Sequence, residues 1–134
     1  MFEAAAHALT LIAQPERIGW MVLGSCVGLI VAIIPGLGGT VGMSILLPFI
    51  FGMDPYSGVA LLIGMSAVIH TGDTFPSVLL GVPGSAGSQA TIVDGYPLAR
   101  QGKAATALGA AFFVSMIGGL IGAIVLFGVL SFAR

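Results

Sequence analysis

Long apolar blocks make up most of the chain, and the polar positions between them mark out the elements. Residues 18–34 (IGWMVLGSCVGLIVAII) are 17 uncharged positions, the lower bound for a helix that crosses a bilayer. Trp20 stands near the start as an interfacial anchor with Arg17 just outside. Pro35 ends the helix by removing a donor and crowding the preceding turn. The next apolar piece, Thr40 to Met53, is 14 residues long, too short to cross alone. It reads as a half-helix or re-entrant segment, with Gly39 or Thr40 as its cap. Asp54-Pro55-Tyr56-Ser57 is a turn signal, and residues 57–72 form a further apolar helix of marginal length. His70, Thr71, Asp73 and Thr74 sit at its end, before Pro76 and a short apolar run. Residues 81–103 (GVPGSAGSQATIVDGYPLARQGK) are the long polar interval of the chain. Within it, Asp94-Gly95-Tyr96-Pro97 reads as a cap, a turn and a proline at a first helical position, dividing 89–103 into short helices. Gly102 closes the second of these. Residues 104–133 then run 30 positions without a charge, enough to cross with tilt.

The first 17 residues differ from the rest. Phe2, Ala5, Ala6, Leu9, Ile12 and Ala13 recur near helical spacing among Glu3, His7, Gln14, Glu16 and Arg17, which predicts an amphipathic helix over 1–17 lying at the membrane interface. A signal peptide is the rival reading, but its basic start is missing and Glu3 occupies that place.

Composition turns this pattern into a class. Hydrophobic residues make up 57% and charged residues 7% of 134 positions, with a mean hydropathy of +1.14. Nine charges cannot cover the surface of a water-soluble fold of this size, so the expected class is an all-α integral membrane protein with multi-pass helices and discontinuous or re-entrant half-helices. A net charge of −1 gives no basic stripe for nucleic acid. The single cysteine, Cys26, allows no internal disulfide and points to no thiolate metal site. No Ser/His or paired-carboxylate spacing supports an enzyme, and neither a metal nor a cofactor is expected.

Two polar breaks share one scheme: Pro35-Gly36-Leu37-Gly38-Gly39-Thr40 and Pro83-Gly84-Ser85-Ala86-Gly87-Ser88, each a Pro-Gly-x-x-Gly-hydroxyl motif after an apolar run. Irregular backbone at membrane depth is tolerated only where protein buries it or a cavity wets it. The half-helix after such a break presents unpaired amides and the positive end of its dipole, a setting for anions. Glycine lets a carboxylate approach those amides and admits positive φ. The residues expected to bind an acid are therefore Gly36, Gly38, Gly39 and Thr40 in one break, and Gly84, Ser85, Gly87, Ser88 and Gln89 in the other. Loop carbonyls with Asp73, Thr91 or Asp94 are the expected place for a coupling ion, Na+ or H+. Paired discontinuous helices of this kind occur in secondary transporters; easing of helix packing is the alternative account of the motif. Asp73 either lies at the surface and caps the next turn or is an ionisable group at membrane depth. For Asp94, capping a loop helix is the favoured role. Gly24 with Gly28, and Gly118, Gly119 with Gly122, are expected to be helix-packing faces.

The order of blocks carries a resemblance. Gly24-x-x-x-Gly28, Ile34-Pro35-Gly36-Leu37-Gly38, Leu46-Leu47-Pro48, residues 78–84 (VLLGVPG), residues 94–102 (DGYPLARQG) and Ala107-Leu108 resemble the large membrane subunit of tripartite tricarboxylate transporters, the TctA family, over roughly residues 18–115. The DGYPLARQG block is its specific part. Family members are about three to four times this length, so the likeness covers their N-terminal portion. It implies that residues 18–134 are the N-terminal membrane portion of a permease in the bacterial inner membrane. Such a permease works with a small membrane subunit and a periplasmic solute-binding protein to import citrate or related carboxylates on an ion gradient. One stretch departs from the commoner pattern: His70-Thr71-Gly72-Asp73-Thr74-Phe75-Pro76 stands where many members have a Tyr-Gly-Gly-like segment. A small structural or assembly protein of the membrane, its glycines used only for helix association, is the alternative from another class. Arg17, Arg100 and Lys103 would place both flanking ends in the cytoplasm, with an even number of crossings between them.

Overall fold

A computed structural model describes residues 2–132 of the chain. Among them are α1 (Phe2–Ile12), α2 (Pro15–Ile33), α3 (Gly38–Ile50), α4 (Pro55–Gly72), α5 (Thr74–Leu80), a 3-10 turn (Ala86–Ser88), α6 (Gln89–Arg100) and α7 (Ala104–Phe132), and no strand. The fold is all-α, and three stretches are long and apolar enough to cross a membrane: Pro15–Ile33, Pro55–Leu80 and Ala104–Leu130. Ala133, the last residue of the expected final span, lies outside the described residues.

α4 is the axis of the molecule. Its residues Leu61, Met65 and Ile69 are buried, together with Ala32 of α2 and Val78 of α5. α2 lies against it in parallel, and glycine sets the separation. A β-carbon on Gly24 would collide with the Leu61 carbonyl of α4, and one on Gly64 of α4 with the Met21 carbonyl of α2. On Gly28 it would stand 2.7 Å from the Met65 carbonyl oxygen. The Ser25 hydroxyl reaches both the Met21 carbonyl (2.9 Å) and, across the interface, the Gly64 carbonyl (3.1 Å). The expected packing role of Gly24 and Gly28 is therefore seen. It depends equally on Gly64, which the sequence pattern did not single out.

α3 runs back along α4. Ile69 faces Gly39, Met65 faces Gly42, and Ile50 faces Gly58. Asp54 then caps α4, its Oδ2 accepting from the Ser57 amide at 3.2 Å. Arg17 stacks 4.7 Å above the Tyr56 ring, which ties the starts of α2 and α4 to one end of the bundle. Pro15, Glu16 and Arg17 form the first turn of α2 and so do not belong to the preceding helix, which ends at Ile12.

The helix after Asp54 ends at Gly72, as expected. The sequence did not show that α5 follows after the single residue Asp73, whose amide still bonds the Ile69 carbonyl at 2.9 Å, so that Pro55–Leu80 makes a 26-residue apolar stretch of about 39 Å. Two expectations are corrected here. Residues 89–103 are not divided at Asp94, because α6 is continuous with Pro97 inside it. Proline removes one intrahelical bond, but Gly95 packs on Val78 and Tyr96 on Gly81, and these tertiary contacts hold the helix through it. α3 begins at Gly38 with Leu37 at its cap position, so Gly39 and Thr40 lie within its first turn and do not cap it. Gly102 ends α6 as expected, at φ +77°. The Gly102 amide bonds Ala99 and the Lys103 amide bonds Leu98, the paired closure of a Schellman motif.

α6 runs parallel to α5, and α7 returns antiparallel, with Phe112 against Phe75 at a 5.4 Å ring separation. Tyr96 packs at Gly81, the far end of α5, while Arg17 sits at the start of α4. Arg100 and Lys103 therefore lie at the end of the α4–α5 rod opposite Arg17, contrary to the even number of crossings expected. The reason is that the polar interval turns back before reaching the Arg17 end. On α7, Phe113 to Leu130 expose their large apolar side chains, a surface far too apolar for water. Gly118, Gly119 and Gly122 meet nothing within 4 Å, so the expected packing face has no partner among the described residues.

Candidate functional site

α2 and α3 form a hairpin whose tip, residues 34–37, reaches the level of Asp73. Gly72 just before it packs on Ala32. From the other end, residues 81–88 fold back beside α5 to the same level and start α6 there. Two chain reversals thus enter from opposite ends of the α4–α5 rod and meet beside it: a β-carbon on Gly38 would lie 3.8 Å from the Gly84 carbonyl oxygen.

A cavity of about 500 Å3 lies between the two tips, lined by Gly36, Gly38, Gly39 and Thr40 from the first and Gly84, Ser85 and Gly87 from the second, with Ser66 and His70 of α4. Seven of the nine residues singled out for acid binding are therefore neighbours around one space. The first-turn amides of α3 receive no side-chain cap and are among those a helix cannot satisfy internally. Gly36 at φ +82° and Gly38 at φ +60° make the tip; a β-carbon on Gly36 would meet nothing within 4 Å, so conformation and not packing calls for glycine there. The Thr40 carbonyl accepts from Ser44 Oγ at 2.8 Å.

The second tip is closed on itself. Ser88 Oγ accepts from the Gly84 amide (3.0 Å) and the Ser85 amide (3.2 Å) and donates to the Ser85 carbonyl (3.0 Å). Ser88 is buried and lines a second cavity of about 300 Å3, with Asp73, Thr74, Thr91 and Ser115 and again His70, Ser85 and Gly87. Thus two of the three residues named for ion coupling, Asp73 and Thr91, share this second space. Asp94 is exposed on α6 and lines neither cavity, and neither does Gln89. Thr74, Ser115, Ser66 and His70 are additional lining residues. The isolated hydroxyl of Ser115 in an apolar helix was a signal available in the sequence; the contact order that brings α7 here was not.

Asp73 is the exceptional side chain. It is 1% exposed, and neither carboxylate oxygen has a hydrogen-bond partner among the described residues. The surface-cap reading of Asp73 is therefore overturned: the residue is buried and α5 has no side-chain cap. Ser77 Oγ bonds the Asp73 carbonyl at 2.8 Å and leaves the carboxylate alone. A β-carbon on Gly84 would lie 2.8 Å from Asp73 Oδ1, so the carboxylate stands directly behind the second tip. An uncompensated buried carboxylate costs several kcal/mol, on the order of the net stability of a small domain.

A third cavity, about 370 Å3, lies at the Arg17 end between α1, α2 and α4 and is lined by Leu11, Ile12, Met21, Val59 and Ile63 together with Arg17 and Tyr56, which stack on each other.

Residues 18–133 match the family described as the tripartite tricarboxylate transporter TctA family. A protein of Agrobacterium vitis, described as an uncharacterized 52.8 kDa protein in the TAR-I ttuC' 3' region, is 32% identical over 112 residues, which is 84% of this chain and 22% of that protein. The chain thus spans about a fifth of the length of that relative. No solved structure matches it.

Proposed function

The chain belongs to the tripartite tricarboxylate transporter TctA family, and from that premise we propose that it forms the N-terminal membrane portion of a permease, multi-pass in the bacterial inner membrane, for citrate or related carboxylates. It acts as a transporter component and not as an enzyme. A periplasmic solute-binding protein delivers the acid, a small membrane subunit completes the assembly, and a Na+ or H+ gradient drives uptake.

The observation that carries this reading is the meeting of two broken segments around one cavity. Amides of the first turn of α3 and the Thr40 hydroxyl donate to a substrate carboxylate, helped by the positive end of the helix dipole. Glycines 36 and 38 keep side chains out of that approach, while Gly39 makes room for Ile69 of α4. Helix packing does not account for Gly36, since a β-carbon there would meet nothing within 4 Å; its positive φ calls for glycine and shapes the tip.

Replacing Gly36 by Val in the full-length permease tests it. Uptake of radiolabelled citrate or another carboxylate into cells should fall by about 10-fold or more, an interaction loss of ~1.4 kcal/mol, while the amount of protein in the membrane stays the same. Unchanged uptake would refute the site.

A further inference from the structure

Asp73 has no use in the acid site as described, and neither of its carboxylate oxygens has a hydrogen-bond partner among the described residues. Burial of such a group is expensive unless something from outside completes it. The cavity it lines, about 300 Å3, has room for an ion with several waters at roughly 30 Å3 each.

Apart from His70, the side-chain donors around that space are hard oxygens: the Asp73 carboxylate with the hydroxyls of Thr74 and Thr91, and Ser115 from α7. Among the described residues no three His, Cys, Asp or Glu side chains gather, so the donor set suits neither zinc nor a divalent ion needing several carboxylates. One negative charge among neutral oxygens matches one monovalent cation.

We propose that Asp73, Thr74, Thr91 and Ser115 bind Na+, and that this ion enables acid binding by neutralising the carboxylate behind Gly84. The second half of the proposal rests on the reading of the first cavity as the carboxylate site. Gly84 belongs to that cavity's wall and touches Asp73 on its other side. With Asp73 charged and empty, an arriving acid meets a buried like charge across a thin wall. With Na+ in place the repulsion is gone. Each ligand then favours the other by the same factor. Helix α7 supplies Ser115, so occupancy also ties the last helix to the second tip.

The test uses the intact, purified permease and radioactive Na+ in the absence of any acid. The wild type should retain Na+ against excess K+, and Asp73→Asn and Ser115→Ala should weaken retention by at least about 10-fold while eluting as the same folded species. Citrate binding measured across a Na+ series should tighten by about 10-fold or more in the wild type. In Asp73→Asn it should become independent of Na+ and stay measurable without it, a result that a merely structural role for Asp73 would not give. Absence of Na+ retention by the wild type, or wild-type retention by both variants, overturns the proposal. A citrate affinity that follows Na+ equally in wild type and Asp73→Asn also overturns it. If Na+ is retained at Asp73 but citrate never binds, the carboxylate reading falls while the cation site stands.

Discussion

The first break turns on Gly36 and Gly38, both at positive φ, and leaves the first amides of α3 without a side-chain cap. The second shows positive φ only at Gly81, ahead of its proline, and folds Gly84 and Ser85 onto the hydroxyl of Ser88. One scheme of residues therefore serves two physical ends. In the first tip glycine supplies a conformation, and the backbone donors remain open. In the second glycine supplies room: Gly84 fits against Asp73 because it has no β-carbon, and the donors are already spent. Repetition of a motif thus identified where the chain breaks, while the partner of each hydroxyl decided which break faces an anion and which one backs onto a carboxylate.

This contrast can be broken by substitution. The largest effect is expected for Gly84→Ala. A methyl there would lie 2.8 Å from Asp73 Oδ1 and 3.1 Å from Asp73 Cα, so backbone as well as side chain must shift, at about 1–3 kcal/mol. Transport should drop by about 10-fold or more, and equal activity in Gly84→Ala and wild type would show that the wall between the cavities is soft. Next comes a pair. Ser88→Ala strands two amides, one of them on buried Gly84, and should lower stability by about 1–3 kcal/mol in thermal unfolding of the detergent-solubilised permease. Thr40→Ala, exposed and without a capping bond, should change stability by less than about 0.5 kcal/mol yet weaken carboxylate binding. Matching stability losses in the two variants would erase the distinction between an open and a closed tip. The smallest effect is expected for Gly87→Ala, where the nearest heavy atom would be Ser85 Oγ at 3.9 Å. Unfolding temperature should be nearly unchanged, and a large drop would mean that the second tip depends on glycine for conformation as the first does.

Much of the architecture was legible in local chemistry. Pro35 and Pro83 precede the two breaks, Asp54 caps α4, Gly102 closes α6, and the Gly24/Gly28 notch receives α4. Such features depend on a few neighbouring residues or on a periodic face. Three others were not legible for one shared reason. Pro97 sits inside α6 because Gly95 and Tyr96 find partners on α5. A new helix, α5, starts one residue after α4 ends, in a polar, proline-containing stretch, with α6 and α7 packed on it. Arg100 and Lys103 end up opposite Arg17 because the polar interval doubles back. Each outcome is set by contacts between segments far apart in the chain, and local propensity is too weak to oppose them.

The sequence by itself determined the solvent and the two breaks: apolar blocks that water could not tolerate, and runs of proline with several glycines that interrupt a helix from local conformation alone. The tertiary structure alone decided that the two breaks share a cavity, that Ser88 closes one of them, and that Asp73 is buried without a partner. Those outcomes follow from how helices pack and which backbones approach closely. A carboxylate's surroundings are a property of the assembled bundle and not of the residues beside it in the chain.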